Sequence, residues 1–150
     1  MVFDRKWFNM LYFKMIENIY EKDPELAREV DFNVIGGLGK RMAKEIKEQI
    51  PQVPNKMDYL LNALRESHWF QENVEVIEKS DREVILQTRN CSWQLPWMKK
   101  HQEIYPCINS HKAFLEEFSK EIDPKMRVEN LLEPTKNPKD GIYCKWKIYK

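Results

Sequence analysis

The stretch Val74-Glu75-Val76-Ile77-Glu78-Lys79-Ser80-Asp81-Arg82-Glu83-Val84-Ile85-Leu86-Gln87-Thr88 decides the fold. Its two arms are rich in β-branched residues, and a polar segment, Lys79 to Arg82, joins them. That pattern predicts a β-hairpin. It also marks a boundary, because the hydrophobic period before residue 73 is helical and the period after it is not.

Upstream, Asp4 to Tyr20 carries Trp7, Leu11, Met15 and Ile19 at i+4 spacing, with Phe8 and Tyr12 beside them. This predicts a first helix with a wide apolar face. Asp23-Pro24 supplies an N-cap and a first-turn proline for a second helix. That helix is expected to bend near Gly36-Gly37-Leu38-Gly39, continue through Met42, Ala43 and Ile46, and end before Pro51 and Pro54. Asn55 caps a third helix, Met57 to about Ser67, with Leu60, Leu61 and Leu64 inward.

Downstream of the hairpin lies a polar and aromatic segment, Cys91 to Pro106. Asn109 or Ser110 is expected to cap a fourth helix bearing Phe114, Leu115, Phe118 and Ile122, which Asp123-Pro124 stops. Met126 to Leu131 reads as a third strand and Pro134 to Gly141 as a turn-rich loop. Ile142 to Tyr149 is a fourth strand, alternating so that Ile142, Cys144, Trp146 and Ile148 share a face. Helices followed by hairpins predict an α+β fold: three N-terminal helices packed on an antiparallel four-stranded sheet, the second half being a ββαββ unit.

A length of 150 residues fits a single domain, with residues 1–70 its helical part and 71–150 its cysteine-containing part. The 42% apolar content excludes a disordered chain. Charges are balanced, 25 basic against 24 acidic, with 11 of each in residues 1–70. No basic field exists to hold nucleic acid or an anionic membrane. The opening Met1-Val2-Phe3-Asp4-Arg5-Lys6 lacks an apolar leader core, and no run of 18 apolar residues follows, so a cytoplasmic protein is expected.

Three cysteines, Cys91, Cys107 and Cys144, all fall in the second half. In a reducing compartment an odd count points to thiols or metal ligands rather than a disulfide framework. Cys91 follows the second strand, Cys107 precedes the fourth helix, where free amides favour a thiolate, and Cys144 lies on the apolar side of the last strand. A compact unit can bring them together, with His101 or His111 as a nitrogen ligand; His111 is four residues past Cys107. Zinc takes four ligands of sulfur, nitrogen or oxygen, and iron–sulfur clusters take thiolates. The spacing is not a CxxC motif, so buried free thiols are the competing reading. Trp69, Phe70, Trp93, Trp97, Tyr105 and Trp146 surround the same region in sequence. They read either as a pocket for an apolar or planar ligand or as core packing. Gly36 to Lys40 is not a phosphate loop: Arg41 stands where a hydroxyl is needed, and no strand precedes it.

The second half resembles a family of small, mostly uncharacterised anaerobe and archaeal proteins. That family is distantly similar to 4-vinyl reductase-like small-molecule-binding domains and to L-2-amino-thiazoline-4-carboxylate hydrolase-like proteins. Trp69-Phe70, Asn90 to Gln94, Tyr105-Pro106-Cys107, Ile122-Asp123-Pro124 and the segment from Pro134 to Trp146 carry the resemblance. It implies a cysteine-centred site, with a further cysteine on the third strand where this chain has Asn130. Ser92, Trp93, Thr135 and Lys136 also depart from the family pattern. Three thiolates with Asn130 or His111 near the fourth position would suit zinc or a cluster with one accessible iron.

Three functional readings follow. The first is a small-molecule-binding domain with a zinc or Fe–S site beside an aromatic pocket, serving hydrolysis or thio-chemistry. The second is a non-catalytic ligand-binding or sensor module whose thiols are core. The third is a homodimer or accessory subunit that uses an aromatic surface.

Overall fold

The computed structural model describes residues 5–70 and 73–150. Asp4, the expected start of the first helix, lies outside them. The elements are α1 (Arg5–Tyr20), α2 (Pro24–Asp31), a π turn (Phe32–Gly36), α3 (Gly37–Lys47), α4 (Lys56–Glu66), β1 (Val74–Lys79), β2 (Glu83–Arg89), α5 (Gln94–His101), α6 (Ile108–Ile122), β3 (Arg127–Leu132), a 3-10 turn (Lys139–Gly141) and β4 (Ile142–Tyr149). The fold is α+β, with one antiparallel sheet in the order β1-β2-β4-β3.

Local chemistry sets several of these boundaries. The Asp23 carboxylate accepts from the amides of Glu25 and Leu26, each at 3.1 Å, and opens α2. The Asn55 side chain does the same for α4, accepting from Met57 at 2.8 Å and Asp58 at 3.0 Å. Alternation along β2 and β4 buries Val84, Leu86, Trp146 and Ile148 on one face of the sheet. On the other, Gln87 and Arg89 donate to the Glu75 carboxylate of the neighbouring strand. One face is therefore core and the other meets water, as antiparallel sheets allow.

The structure departs from the sequence expectations at three places. The segment from Cys91 to Pro106 contains a helix, α5, with Pro96 in its first turn, where a proline ring is tolerated. Helix α6 begins earlier than expected, with Cys107 at its N-cap position and no side-chain cap. Ser110 donates instead to the buried Asp31 carboxylate at 2.6 Å. The buried face of α1 is also not the i+4 stripe. Trp7 and Leu11 are 64% and 72% exposed, while Tyr12 and Ile16 are buried. Helix α1 is apolar on most sides, so its own period does not choose a face. Its partners choose it, with Tyr12 donating to Asp31 at 2.8 Å.

The glycine segment is a joint of close packing. Helices α2 and α3 run on through the π turn, and α3 lies along α6. A Cβ on Gly39 would come within 3.1 Å of the Phe114 carbonyl carbon, and closer still to its oxygen. A Cβ on Gly36 would stand 3.0 Å from that of Ala113. One on Gly37 would meet nothing within 4 Å. Among the described residues, no helix is long and apolar enough to cross a membrane.

Gly39→Ala should therefore destabilise the protein by about 1–3 kcal/mol, because the backbone of α6 cannot move aside as a flexible side chain can. Gly37→Ala, at ordinary helical dihedrals, should be neutral or stabilising by up to about 1 kcal/mol. Urea unfolding of the two variants checks the contrast.

Candidate functional site

The chain leaves β2 through Asn90, which adopts a left-handed conformation with φ of 47°. Asparagine tolerates this region better than most residues. The Asn90 amide donates to the Gly141 carbonyl at 2.8 Å, so the end of β2 is tied to the start of β4. This turn delivers Cys91 from the sheet to the beginning of α5.

Gln94 then holds the segment that follows. It is fully buried. Its Oε1 accepts from the Tyr105 amide at 2.9 Å, and its Nε2 donates to the Tyr105 carbonyl at 2.8 Å. Those two bonds fix the orientation of the side-chain amide. The same Nε2 donates to Cys107 Sγ at 3.3 Å. One glutamine thus ties the segment entering α6 to the first turn of α5 and aims a donor at a sulfur.

Cys91, Cys107 and Cys144 line one cavity of about 40 Å³. His68 and His111 line it too, with apolar walls from Ile35, Trp69 and Trp93. Among the described residues, no carboxylate lines it. By volume it has room for an ion or a few waters. Each sulfur has donors near it: the backbone amides of Trp93 and Gln94 for Cys91, Gln94 Nε2 for Cys107, and Thr88 for Cys144. Thr88 is the cross-strand partner of Cys144 in the β2–β4 register.

Burial pushes the Cys107 thiol well up, and the neighbouring Cys91 and Cys144 add to the rise. Burial likewise raises Cys91 and Cys144 against their donors. Without a cation the three are therefore neutral thiols. Burial lowers both histidines. His68, 7% exposed, is pushed down to about 4, with a smaller contribution from His111. His111 is lowered by burial against the partly opposing charge of Asp31. His68 Nδ1 lies 3.4 Å from Met42 Sδ, and its ring meets Phe114 edge-on at 4.8 Å. Both imidazoles are neutral at pH 7, the form that binds metals.

The sulfurs do not close into a ready single-ion site. Among the described residues, the trio with ligand atoms within 4.8 Å of one another is Glu17, Glu21 and His101, not the cysteines. Lys100 already bridges the two glutamates, 3.1 Å from Glu17 and 2.8 Å from Glu21. His101 belongs there, 3.3 Å from Glu17, and not in the thiol cavity.

Four of the residues expected at the site stand elsewhere. Asn130 pairs with Trp146 in register and so faces the same side of the sheet as Cys144. Its amide, however, donates to the carbonyls of Leu132 and Lys145, each at 3.1 Å, where the β3–β4 register slips. The bulge consumes the side chain that the resemblance aimed at the metal. Trp97 is fully buried among Phe13, Tyr20, His101 and Tyr105, filling the interface of α1 with α5. Tyr105 is buried beside Trp93 and Trp97. Trp146 is core behind Cys144. Of the six aromatics expected around the pocket, Trp69 and Trp93 line the cavity, and Tyr143 joins them.

Sequence reasoning assigned no role at the site to His68 or to the side chain of Gln94. Spacing alone carried no signal for either. The long aromatic run around Trp69 and the buried position of a glutamine within Asn90 to Gln94 become meaningful only once the chain is folded.

The profile of a family of unknown function, DUF6125, matches residues 2–149. The chain belongs to that family. It has no significant match among curated proteins or solved structures. The thiol–imidazole cavity is thus described for this DUF6125 chain from its own geometry.

The buried, neutral His68 gives a pH signature in metal-free protein. Its folded pKa lies below the unfolded value of about 6.5, so below that pH the unfolded chain takes up a proton that the folded chain refuses. This part of the stability is complete above about pH 6.5 and is lost progressively down to about pH 4, with a magnitude of about 3 kcal/mol. His68→Phe keeps the ring contacts, so its unfolding free energy should fall less over that range. Urea unfolding at several pH values measures the difference.

Proposed function

We propose that the cavity is a soft-metal site, held by Cys91, Cys107 and Cys144 with His68 or His111 as a nitrogen ligand, in a domain that handles a small molecule. One observation carries this reading. Residues from the end of β2, the start of α6 and the middle of β4, 16 and 37 positions apart along the chain, put three sulfurs and two imidazoles around one small cavity. Such a donor set, with no carboxylate among the described lining residues, suits zinc or iron held by thiolates. N–H donors to the sulfurs are the surroundings that thiolate ligands use. A metal held by three or four of these side chains would polarise a carbonyl or lower the pKa of a bound water, chemistry that suits hydrolysis or a reaction at sulfur. The chain's own contribution is to fix the sulfurs through Gln94, Thr88 and the Asn90 turn, and to keep the imidazoles neutral.

A second reading has its own observation. The three sulfurs are not all within 4.8 Å of one another, as one ion would draw them. On that reading the thiols are core, and the domain is a ligand-binding module without metal.

Metal analysis of anaerobically purified protein separates the two. About one equivalent of zinc, or iron with a sulfide-to-iron charge-transfer spectrum, is expected on the first reading. Cobalt(II) added to metal-free protein should give thiolate-to-metal absorption that Cys107→Ser removes. Less than roughly a tenth of an equivalent of either metal, with no thiolate–cobalt band, would leave the second reading. Cys107→Ser would then cost only a packing change of about 1 kcal/mol.

A further inference from the structure

Helix α1 carries apolar side chains on two faces, and the fold of the chain uses one of them. Tyr12 and Ile16 point into the core, and Phe13 and Tyr20 meet Trp93 and Trp97 edge-on. On the outer face Trp7 is 64% exposed, Leu11 72% and Met15 42%, with Met10 beside them at 49%. A helix that is apolar all round is ordinarily a buried helix. Among the described residues α1 is not long and apolar enough to cross a membrane. Its outer face is therefore matched to a cover from outside this chain.

The spacing of the outer residues describes that cover. Trp7, Leu11 and Met15 are four positions apart, so they stand in one row along the helix, with Met10 and Lys14 in the next row. Rows of this spacing interdigitate when two helices cross in the commonest packing class, at about −50°. Leu11 is the midpoint of the row. A two-fold axis through it sets Leu11 against its own copy and Trp7 against Met15 of the second copy, where a flexible thioether packs on an indole ring. The antiparallel direction of such a pair also opposes the two helix dipoles. Lys14 in the neighbouring row has Glu17 of its own helix at 3.1 Å, so its charge is not left alone at the contact.

The area agrees with a reversible pair. Trp7, Met10, Leu11 and Met15 together leave roughly 500 Å² in water, toward the upper end of the roughly 300–600 Å² that a monomer's largest apolar patch reaches. Two such faces pressed together bury about 1,000 Å², the size at which specific interfaces begin and at which they are weak.

We propose that the outer face of α1 is a self-association surface, on which two copies of this chain pair antiparallel about Leu11 with Trp7, Leu11 and Met15 interleaved. Among the described residues none of α1 lines the thiol cavity, so the pairing is independent of the metal reading.

Sedimentation equilibrium of the full chain tests the proposal. Wild-type protein should pass from monomer to dimer over roughly 1–200 µM. Leu11→Glu and Leu11→Lys should each stay monomeric over that range. Mixed in equal amounts, the two should form a heterodimer, because the axis places residue 11 against residue 11. Leu131→Glu, at an exposed leucine on β3, should dimerise as wild type does. Circular dichroism and thermal melts confirm that the variants fold, and the wild-type concentration series stands without them.

A wild-type chain that is monomeric at every concentration would overturn the proposal. So would a dimer that Leu11→Glu leaves intact, or one that Leu131→Glu abolishes equally. Mixed residue-11 variants that do not associate would remove the two-fold pairing. If the wild-type monomer instead co-sediments with phosphatidylcholine–phosphatidylserine vesicles and Leu11→Glu does not, the face belongs to a lipid surface and the proposal falls.

Discussion

The close approach of α3 to α6 is the constraint on which the remaining architecture depends. Gly39 meets the backbone of Phe114 with no room for a side chain between them, and a Cβ on Gly36 would stand 3.0 Å from the Ala113 methyl. Helix α6 also lies against β3, so it is the middle layer through which the N-terminal helices are positioned relative to the sheet. With α6 held, Phe114, Leu115, Phe118 and Ile122 fill the interior, and the start of the helix carries Cys107 and His111 to the end of the sheet where Cys91 and Cys144 emerge. Helix packing and site assembly are the same event in this molecule.

Buried polar groups then fix what apolar packing leaves free. Asp31, at the junction of α2 and the π turn, accepts from Tyr12 of α1 and Ser110 of α6. A buried carboxylate is costly unless its oxygens are satisfied, and here two hydroxyls from distant elements satisfy it. The pair of bonds sets the rotation of α1 and the position of the first turn of α6, next to His111. Gln94 acts similarly on the other side of the site, matching both backbone groups of Tyr105 while touching Cys107. The π turn beside Asp31 contributes Ile35 to the cavity wall. Such turns add a residue to a helix and re-aim its side chains, which is why they recur near functional positions.

The candidate site therefore has two compartments of opposite character. One is small and lined by neutral thiols and imidazoles. The other, a groove of about 800 Å³ lined by Phe13, Phe70 and Trp93, is large, open and aromatic. Trp93 separates them, and its ring also packs on Tyr12, Phe13 and Tyr105. A ring so supported by its neighbours is a partition that the core itself holds in place.

Local sequence chemistry determined much of the outline. The Asp23-Pro24 and Asn55 caps, the hairpin around Lys79 to Arg82 and the alternation of Ile142 to Tyr149 each act over a few residues, so they are visible without the fold. The same holds for the confinement of the cysteines to the second half. Asn130 shows where this ends. Its face on β3 follows from period 2, but its amide serves a register slip that depends on β4. The face of α1, expected along Trp7, Leu11, Met15 and Ile19, lies instead on Tyr12 and Ile16, because apolar residues surround most of the helix and Asp31, 19 positions beyond Tyr12, selects the side. Trp97, Tyr105 and Trp146 have the composition of a pocket and the positions of a core, a distinction that only burial makes. His68 and Gln94 acquire their roles from neighbours far away in the chain. Only the tertiary structure could decide these points, because a buried side chain answers to contacts in space, whereas caps, turns and alternation answer to the neighbouring residues along the chain.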